Sequence, residues 1–449
     1  MAEGHPTTTD HASGSLVDRV YARLVRSAAP DPADVAALPG DADRWVAHNA
    51  VHTVGALTLT KVGDRIVDAK TVLTWLLGAV GAPAGLTGLL VPVRESGALL
   101  PQVLVARVVA GRPRRQPTWL VGALGQAAAV AAMAVVAFTL TGAAAGVALV
   151  LALAVFATFR SVCSLTIKDV MGRTIPTGER GQVTGWATTA SGVVAITVGL
   201  AIRGLGEDAG TAVLGGLLAG AAVLWLASAA VFLRVREPRV EDDRDARDGV
   251  GASLRLLATD APFRRFVLAR TMLLVSALTP PYVVVLAQDA TGVSVAGLGP
   301  YVVAAGVASL VGGRLWGPFA DRSSRRLIAG ASGGAALLVL VFLAASQLDA
   351  LGGASWWYVA TYFALALVHE GARLGRSTYV VDLGDRGART DYVAVSNTAM
   401  GLLLLVVGGI SSVVALAGPT AALLLLSGIG LAGIPVSLSM DEVGAGQAG

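Results

Sequence analysis

The stretch KVGDRIVDAK, Lys61 to Lys70, decides how many times this chain crosses a membrane. It carries Lys61, Asp64, Arg65, Asp68 and Lys70, and on hydropathy alone it is a loop. On a helix the picture changes: at 100° per residue, Lys61, Asp64, Arg65 and Asp68 fall within an arc of about 100°. Their charges sum to zero. A membrane helix with one polar stripe turns that stripe toward protein or water and away from lipid.

The surrounding composition sets the medium. Of 449 residues, 54% are hydrophobic and only 14% are charged, whereas a soluble domain carries about 25% charged residues. The apolar content recurs in blocks of roughly 20 residues, the length that crosses a bilayer as a helix. Twelve spans are predicted. The first six are 51–77, 84–107, 117–140, 143–165, 182–202 and 211–234, and the second six are 265–288, 294–316, 327–347, 355–375, 391–415 and 419–439. The chain therefore reads as an all-α polytopic membrane protein with twelve transmembrane helices in two six-helix bundles, 46–234 and 265–440. Residues 1–45 form a cytoplasmic N-terminal tail, 235–264 a solvated linker and 441–449 a C-terminal tail. The N-terminal tail is expected to be largely disordered, apart from the amphipathic run SLVDRVYARLV, Ser15 to Val25, which suits a membrane surface. No cleavable signal is read there, so span 1 is expected to act as the insertion signal.

Loop charge orients the spans, because cytoplasmic loops hold the Lys and Arg excess. Connections after even-numbered spans contain Arg112, Arg114 and Arg115, then Lys168, Arg173 and Arg180, then Arg236 and Arg239, then Arg322, Arg325 and Arg326, then Arg376, Arg386 and Arg389. Connections after odd-numbered spans are short, and Arg203 is their one basic residue. Both termini are expected on the cytoplasmic side of the cell membrane. Cys163 is the single cysteine, so no intrachain disulfide and no Cys-rich metal site is expected.

The two sets of spans repeat one another. Arg160 is followed nine residues on by Asp169, and Arg373 nine residues on by Asp382. RGQVTGWATTASG from Arg180 aligns with RTDYVAVSNTAMG from Arg389, and RPRR at Arg112 to Arg115 with SSRR at Ser323 to Arg326. All three pairs share an offset of about 210 residues, the mark of a duplicated bundle. The same offset lays Lys61 to Lys70 against the apolar Phe266 to Gln288, which makes the charged stretch part of span 1.

These motifs resemble those of the major facilitator superfamily. GPFADRSSRR, Gly317 to Arg326, is similar to that family's G-x-x-x-D-R-x-G-R-R loop, with Ser324 in place of its glycine. The resemblance implies a cytoplasmic gate built from Gly317, Asp321, Arg322, Arg325 and Arg326. In the first-half copy Arg114 and Arg115 remain, but Ala110 stands in the aspartate's place. Arg160 resembles the arginine of the family's R-x-x-Q-G motif, which implies a link to proton coupling, although Cys163 and Ser164 replace the last two residues. The proline of the antiporter motif in span 5 is missing beside Gly192 and Gly199. The string R-E-S-G-x-L-L-P-Q in span 2 resembles a bacterial branch of permeases.

Arg94 and Glu95 stand near the middle of span 2, where a lone arginine costs about 2.5–3.5 kcal/mol on insertion scales. Neighbours on a helix point 100° apart, so each is expected to find a partner elsewhere, with Asp64, Arg65 and Asp68 the obvious source. Two readings stay open: structural pinning of spans 1 and 2, or a substrate and proton site that also includes Arg160. His369 and Glu370 lack the second histidine of a zinc helix, since position 373 is arginine, so they are read with Asp169, Arg373 and Asp382 as part of the gate. Pro280 and Pro281 mark a hinge or cavity wall in span 7. No nucleotide-binding loop, spaced catalytic set or large soluble loop is present. The expected function is a secondary transporter, acting as a monomer on a small molecule and coupled to protons, with no cofactor, metal or nucleic acid. The alternative is a membrane-embedded sensor or enzyme.

Overall fold

The computed structural model describes residues 16–24, 32–109, 112–176, 179–205, 210–240, 258–292, 294–383 and 389–442. Thr177 and Arg386, and the side chains of Asp321, Asp382 and Arg389, lie outside the described residues. Helices account for every span. Span 1 is two helices, Val46–Ile66 and Val72–Ala79, and span 2 is Ala84–Leu99 followed by Gln102–Val109. Spans 3 to 6 are Gln116–Thr139, Gly142–Thr174, Arg180–Arg203 and Thr211–Phe232. Span 7 is Ala261–Met272 with Leu274–Thr291, and spans 8 to 12 are Val295–Arg322, Ser324–Ala345, Ser355–Leu383, Arg389–Val414 and Pro419–Leu438.

Among the described residues, nine spans are long and apolar enough to cross a membrane by length and composition. The other three are spans 1, 2 and 10, the ones that carry Asp64, Arg94, Glu95 and Arg373. Asp64 and Arg94 turn inward, whereas Leu151, Val223, Leu337, Val406 and Leu431 are exposed. Apolar residues outside and charges within invert the pattern of a soluble protein and suit lipid.

Spans 4, 8 and 10 extend further than hydropathy places them, to Thr174, Arg322 and Leu383. Lys168, Asp169 and Arg173 therefore sit on a helix and not on a loop, and Gly317 to Arg322 closes the helix of span 8, with the turn confined to Ser323. A 33-residue helix is about 50 Å long, well beyond a 30 Å hydrocarbon core. Hydropathy reports where lipid ends; the helix itself continues.

Each half packs alike. Span 3 lies against spans 4 and 6 in the first, and span 9 against spans 10 and 12 in the second. Span 2 runs along span 11, and span 5 along span 8. Exchanging each span with its counterpart six places away turns the first of these contacts into the second, so the interface between bundles obeys the same pseudo-symmetry as the bundles.

The interface is tight at one end only. Where spans 5 and 8 cross, Gly199 and Gly299 bring backbone against backbone, and a Cβ on Gly199 would lie 2.8 Å from the Gly299 carbonyl oxygen. Nearby, Gln288 Nε2 donates to the Trp75 carbonyl across the bundles (3.2 Å). Toward the basic ends of the same spans, side chains added at Gly181, Gly185, Gly313 or Gly317 would meet open space. A cavity of about 320 Å³ lies there, lined by Thr184, Thr188, Thr189, Ser309 and Leu310. The bundles are sealed at the end of the short connections and parted at the end of the basic ones.

The helix Leu16–Leu24 falls within the segment expected to be a free tail, and it docks on protein. Tyr21 packs with Val54, Met171, Ile175 and Val183 at the basic ends of spans 1, 4 and 5. Its hydroxyl donates to Glu179 Oε1 (2.5 Å), and Trp186 Nε1 donates to the Leu24 carbonyl (2.6 Å). An amphipathic run suits a protein groove as well as a membrane surface, and sequence does not separate the two.

Candidate functional site

The site is built around the break in span 1. After Ile66 the helix stops, and Val67 takes φ −94°, ψ 38°. Asp68 organises the restart: its Oδ1 accepts from Lys70 N (2.9 Å), Thr71 N (3.0 Å) and Thr71 Oγ1 (3.0 Å). A carboxylate so placed satisfies the donors of the turn that leads into the helix Val72–Ala79. The freed carbonyl of Val67 accepts from Arg94 Nη1. Irregular backbone at this depth persists because protein groups, not lipid, complete its hydrogen bonds.

Arg94 is buried and does more than cap. Its Nη2 lies 3.3 Å from Asp64 Oδ1, and its guanidinium carbon sits 5.5 Å from the Phe156 ring centre. Arg160 Nη1 from span 4 reaches the same Asp64 oxygen. One carboxylate thus joins spans 1, 2 and 4. Arg65 turns the other way and donates to Ser309 Oγ of span 8 (2.6 Å), and Lys61 Nζ donates to Thr188 Oγ1 of span 5 (2.7 Å).

Glu95 differs from the rest. The expectation that both span 2 charges find direct partners holds for Arg94 alone, since no hydrogen bond or ion pair engages the Glu95 carboxylate among the described residues. It is half-buried and within electrostatic reach of Lys70, Arg160 and Arg376. The last of these comes from span 10 of the opposite bundle.

Span 10 supplies the other wall. His369 Nδ1 lies 3.2 Å from Ser276 Oγ of span 7, and Arg373 Nη2 2.5 Å from Glu370 Oε2. Tyr362, about two turns from His369 toward the sealed end, packs edge-on with Tyr301, which in turn lies against Trp75, so aromatic rings form the floor. Arg270 of span 7 is buried against Ser396 and Asn397 of span 11. In the first bundle the set comprises Lys61, Arg65, Lys70, Arg94 and Arg160 against Asp64, Asp68 and Glu95. In the second it comprises Arg270, Arg373 and Arg376 against Glu370. Among the described residues this set holds eight cations and four carboxylates.

Of these, Lys70, Arg270 and Arg376 were not legible as site residues. Arg376 lies one residue past the predicted end of span 10 and reads as loop charge. Arg270 is a lone arginine in the apolar run FVLARTMLLV, and the cost argument applied to Arg94 would have singled it out.

At the basic end, two glutamates clamp the loops that carry the repeated arginines. Glu237, just after span 6, accepts from Arg115 N and Gln116 N (both 2.7 Å) and pairs with Arg173 (3.1 Å). Arg115 Nε also lies 3.5 Å from Asp169. Glu442, just after span 12, pairs with Arg325 (2.8 Å) and accepts from Ser323 Oγ, the N-cap of span 9. Negative charge at helix starts is favourable. Both glutamates lie in segments read as solvated linker and tail, and their equivalent places extend the repeat. Arg322 and Arg326 are exposed, and Asp169 sits with Arg115, away from Arg160.

The architecture matches solved transporters along nearly its whole length. The nucleoside transporter NupG aligns with a TM-score of 0.67 at 11% identity, covering 87% of this chain and 100% of that one. A POT family transporter in complex with a thioalcohol-conjugated peptide aligns at 0.66 and 10% identity, covering 86% and 94%. The xylose transporter XylE from E. coli, in an inward-open conformation, aligns at 0.63 and 11%, covering 88% and 97%. No protein-family model and no curated protein sequence matches the chain. At such identities the likeness is one of fold: two pseudo-symmetric six-helix bundles of the major facilitator type.

Proposed function

We propose that this chain is a secondary active transporter that carries a small solute by alternating access, with Glu95 as the proton-coupling carboxylate. One observation carries the reading: a set of interior charges lies between two bundles that are sealed at one end and parted at the other. Charges inside a membrane mark pathways, and here they line a space with one opening. The basic loops place that opening toward the cytoplasm. The halves, 46–234 and 265–440, then rock about the crossings of spans 2 with 11 and 5 with 8, and the linker 235–264 lets them move. Gly317, Asp321, Arg322, Arg325 and Arg326, with Asp169, Arg373 and Asp382, serve as the gate that closes the cytoplasmic end. The whole path lies within one chain, which acts as a monomer in the cytoplasmic membrane.

Glu95 suits proton coupling because it is the interior carboxylate left without a direct partner. Asp64 is held by two guanidinium groups and Asp68 by backbone donors. When the bundles rock, the distance from Glu95 to Arg376 changes, since the two residues belong to different halves. A carboxylate gains a proton when a nearby cation withdraws and loses it when the cation returns. Arginine stays charged throughout and cannot take this part. Arg160, through Asp64, holds the first-bundle side of the site in place.

The test is transport by purified protein in proteoliposomes under an imposed pH gradient, with a metabolite mixture read by mass spectrometry. Glu95→Gln should retain solute exchange and lose gradient-driven accumulation. Undiminished accumulation by this variant would make Glu95 structural and leave Asp64 as the next carboxylate to test.

A further inference from the structure

We infer that the solute is an anion whose negative group is held by Arg270 and Arg376 of the second bundle together with Lys70 of the first. The inference rests on the transport reading and adds the substrate class. Arg270 carries it furthest. This residue is only 7% exposed, yet its guanidinium meets neutral groups alone: Nη1 donates to Ser396 Oγ, Nη2 donates to Asn397 Oδ1 at 3.1 Å, and Nε has no partner. The charge that acts on it is Arg376, of the same sign. Among the described residues this buried cation has no counter-ion, an arrangement that protein interiors avoid.

Lys70 adds a second donor without an acceptor. Its backbone N–H goes to Asp68, but its ammonium makes no hydrogen bond or ion pair among the described residues. It lies within electrostatic reach of Glu95 and of Glu370 and Arg376 of the opposite bundle. The imbalance is also collective, because among the described residues the interior set named above has twice as many cations as carboxylates. Lysine and arginine are donors only, and an ionised carboxylate or phosphate is an acceptor only. A neutral solute would leave the surplus uncompensated; a cation would add to it. An anion bridging Arg376 and Lys70 would also tie the two bundles together, which is what a carried ligand must do to favour rocking.

The test uses the full-length protein in detergent, titrated with inorganic phosphate, succinate and benzoate while Tm is followed. The controls are sodium chloride at equal ionic strength, succinamide and benzamide. At least one anion should raise Tm beyond its control, and Arg376→Gln should weaken that binding about tenfold, the loss of one charge-assisted hydrogen bond. Arg270→Gln should raise Tm of the solute-free protein, because it removes an uncompensated charge, and should abolish the anion response. If no anion exceeds its control, or if Arg270→Gln lowers the solute-free Tm and keeps the anion response, the assignment is overturned and the arginine is a structural tie. Radiolabelled uptake of the anion that binds separates the two readings. Binding without uptake upholds the anion site and overturns transport, whereas preferential uptake of an amide upholds transport and overturns the anion.

Discussion

Asp64 bears the heaviest electrostatic load of any single residue, since it compensates Arg94 and Arg160 at once. Asp64→Asn keeps the shape and removes the charge, leaving buried Arg94 and partly buried Arg160 without their shared counter-charge. The expected loss of stability is on the order of 3–5 kcal/mol, read as a lower Tm and a lower folded yield. Adding Arg160→Gln should recover part of it, and an unchanged Tm in the single variant would show that solvent already screens the cluster. The partner of Arg94 was legible in the sequence because a mid-span arginine is too costly to stand alone. Asp68 was not legible in the same way. Its carboxylate is spent on a backbone break that no residue pattern announces, so a residue read as a coupling candidate turns out to hold the restart of a helix. Glu237 and Glu442 were missed for a related reason: each acts through the open start of a helix, and sequence shows the acid without the helix start beside it.

At the level of single elements, hydropathy located the apolar spans, and the repeat added the most polar one, span 1. It could not see where helices end in water, which moved Asp169 and Gly317 from loops onto helices. Nor could it see the docking of Leu16–Leu24, which depends on a groove formed by spans 1, 4 and 5. That docking is pH-sensitive. Burial pushes the Glu179 carboxyl above its ordinary value, and the hydrogen bond from Tyr21 offsets part of the rise. Burial and the neighbouring carboxylate push the Tyr21 hydroxyl up as well, so it remains a donor. The docked helix therefore favours protonated Glu179. Docking should be complete below the ordinary carboxylate range, near pH ~4.3, and should weaken as pH rises through the elevated value. A fluorophore on Arg19→Cys should gain mobility on alkalinisation, and Glu179→Gln should hold it immobile throughout. Equal mobility change in both proteins would place the pH response elsewhere.

The loop charges predict one orientation for the molecule as a whole. In a Cys163→Ser background, cysteines introduced at Ala144 and at Arg239, both exposed at opposite ends of the spans, should react with an impermeant thiol reagent from opposite sides of the membrane. Reaction of both from one side would end the twelve-span topology. That orientation also gives the interior cation surplus a meaning beyond recognition, because charges in a membrane feel its voltage. A full elementary charge crossing 100 mV is worth ~2.3 kcal/mol. If rocking carries a surplus of four through only ~10% of the field, the switch gains ~0.9 kcal/mol, a roughly fivefold bias. In the proposed orientation, an inside-negative potential would hold the empty carrier parted at its basic ends, the arrangement seen here. A bound anion would cancel part of that charge and loosen the electrical hold. The voltage dependence of the cycle would then reside in the return of the empty carrier, and a current recorded without solute would report it.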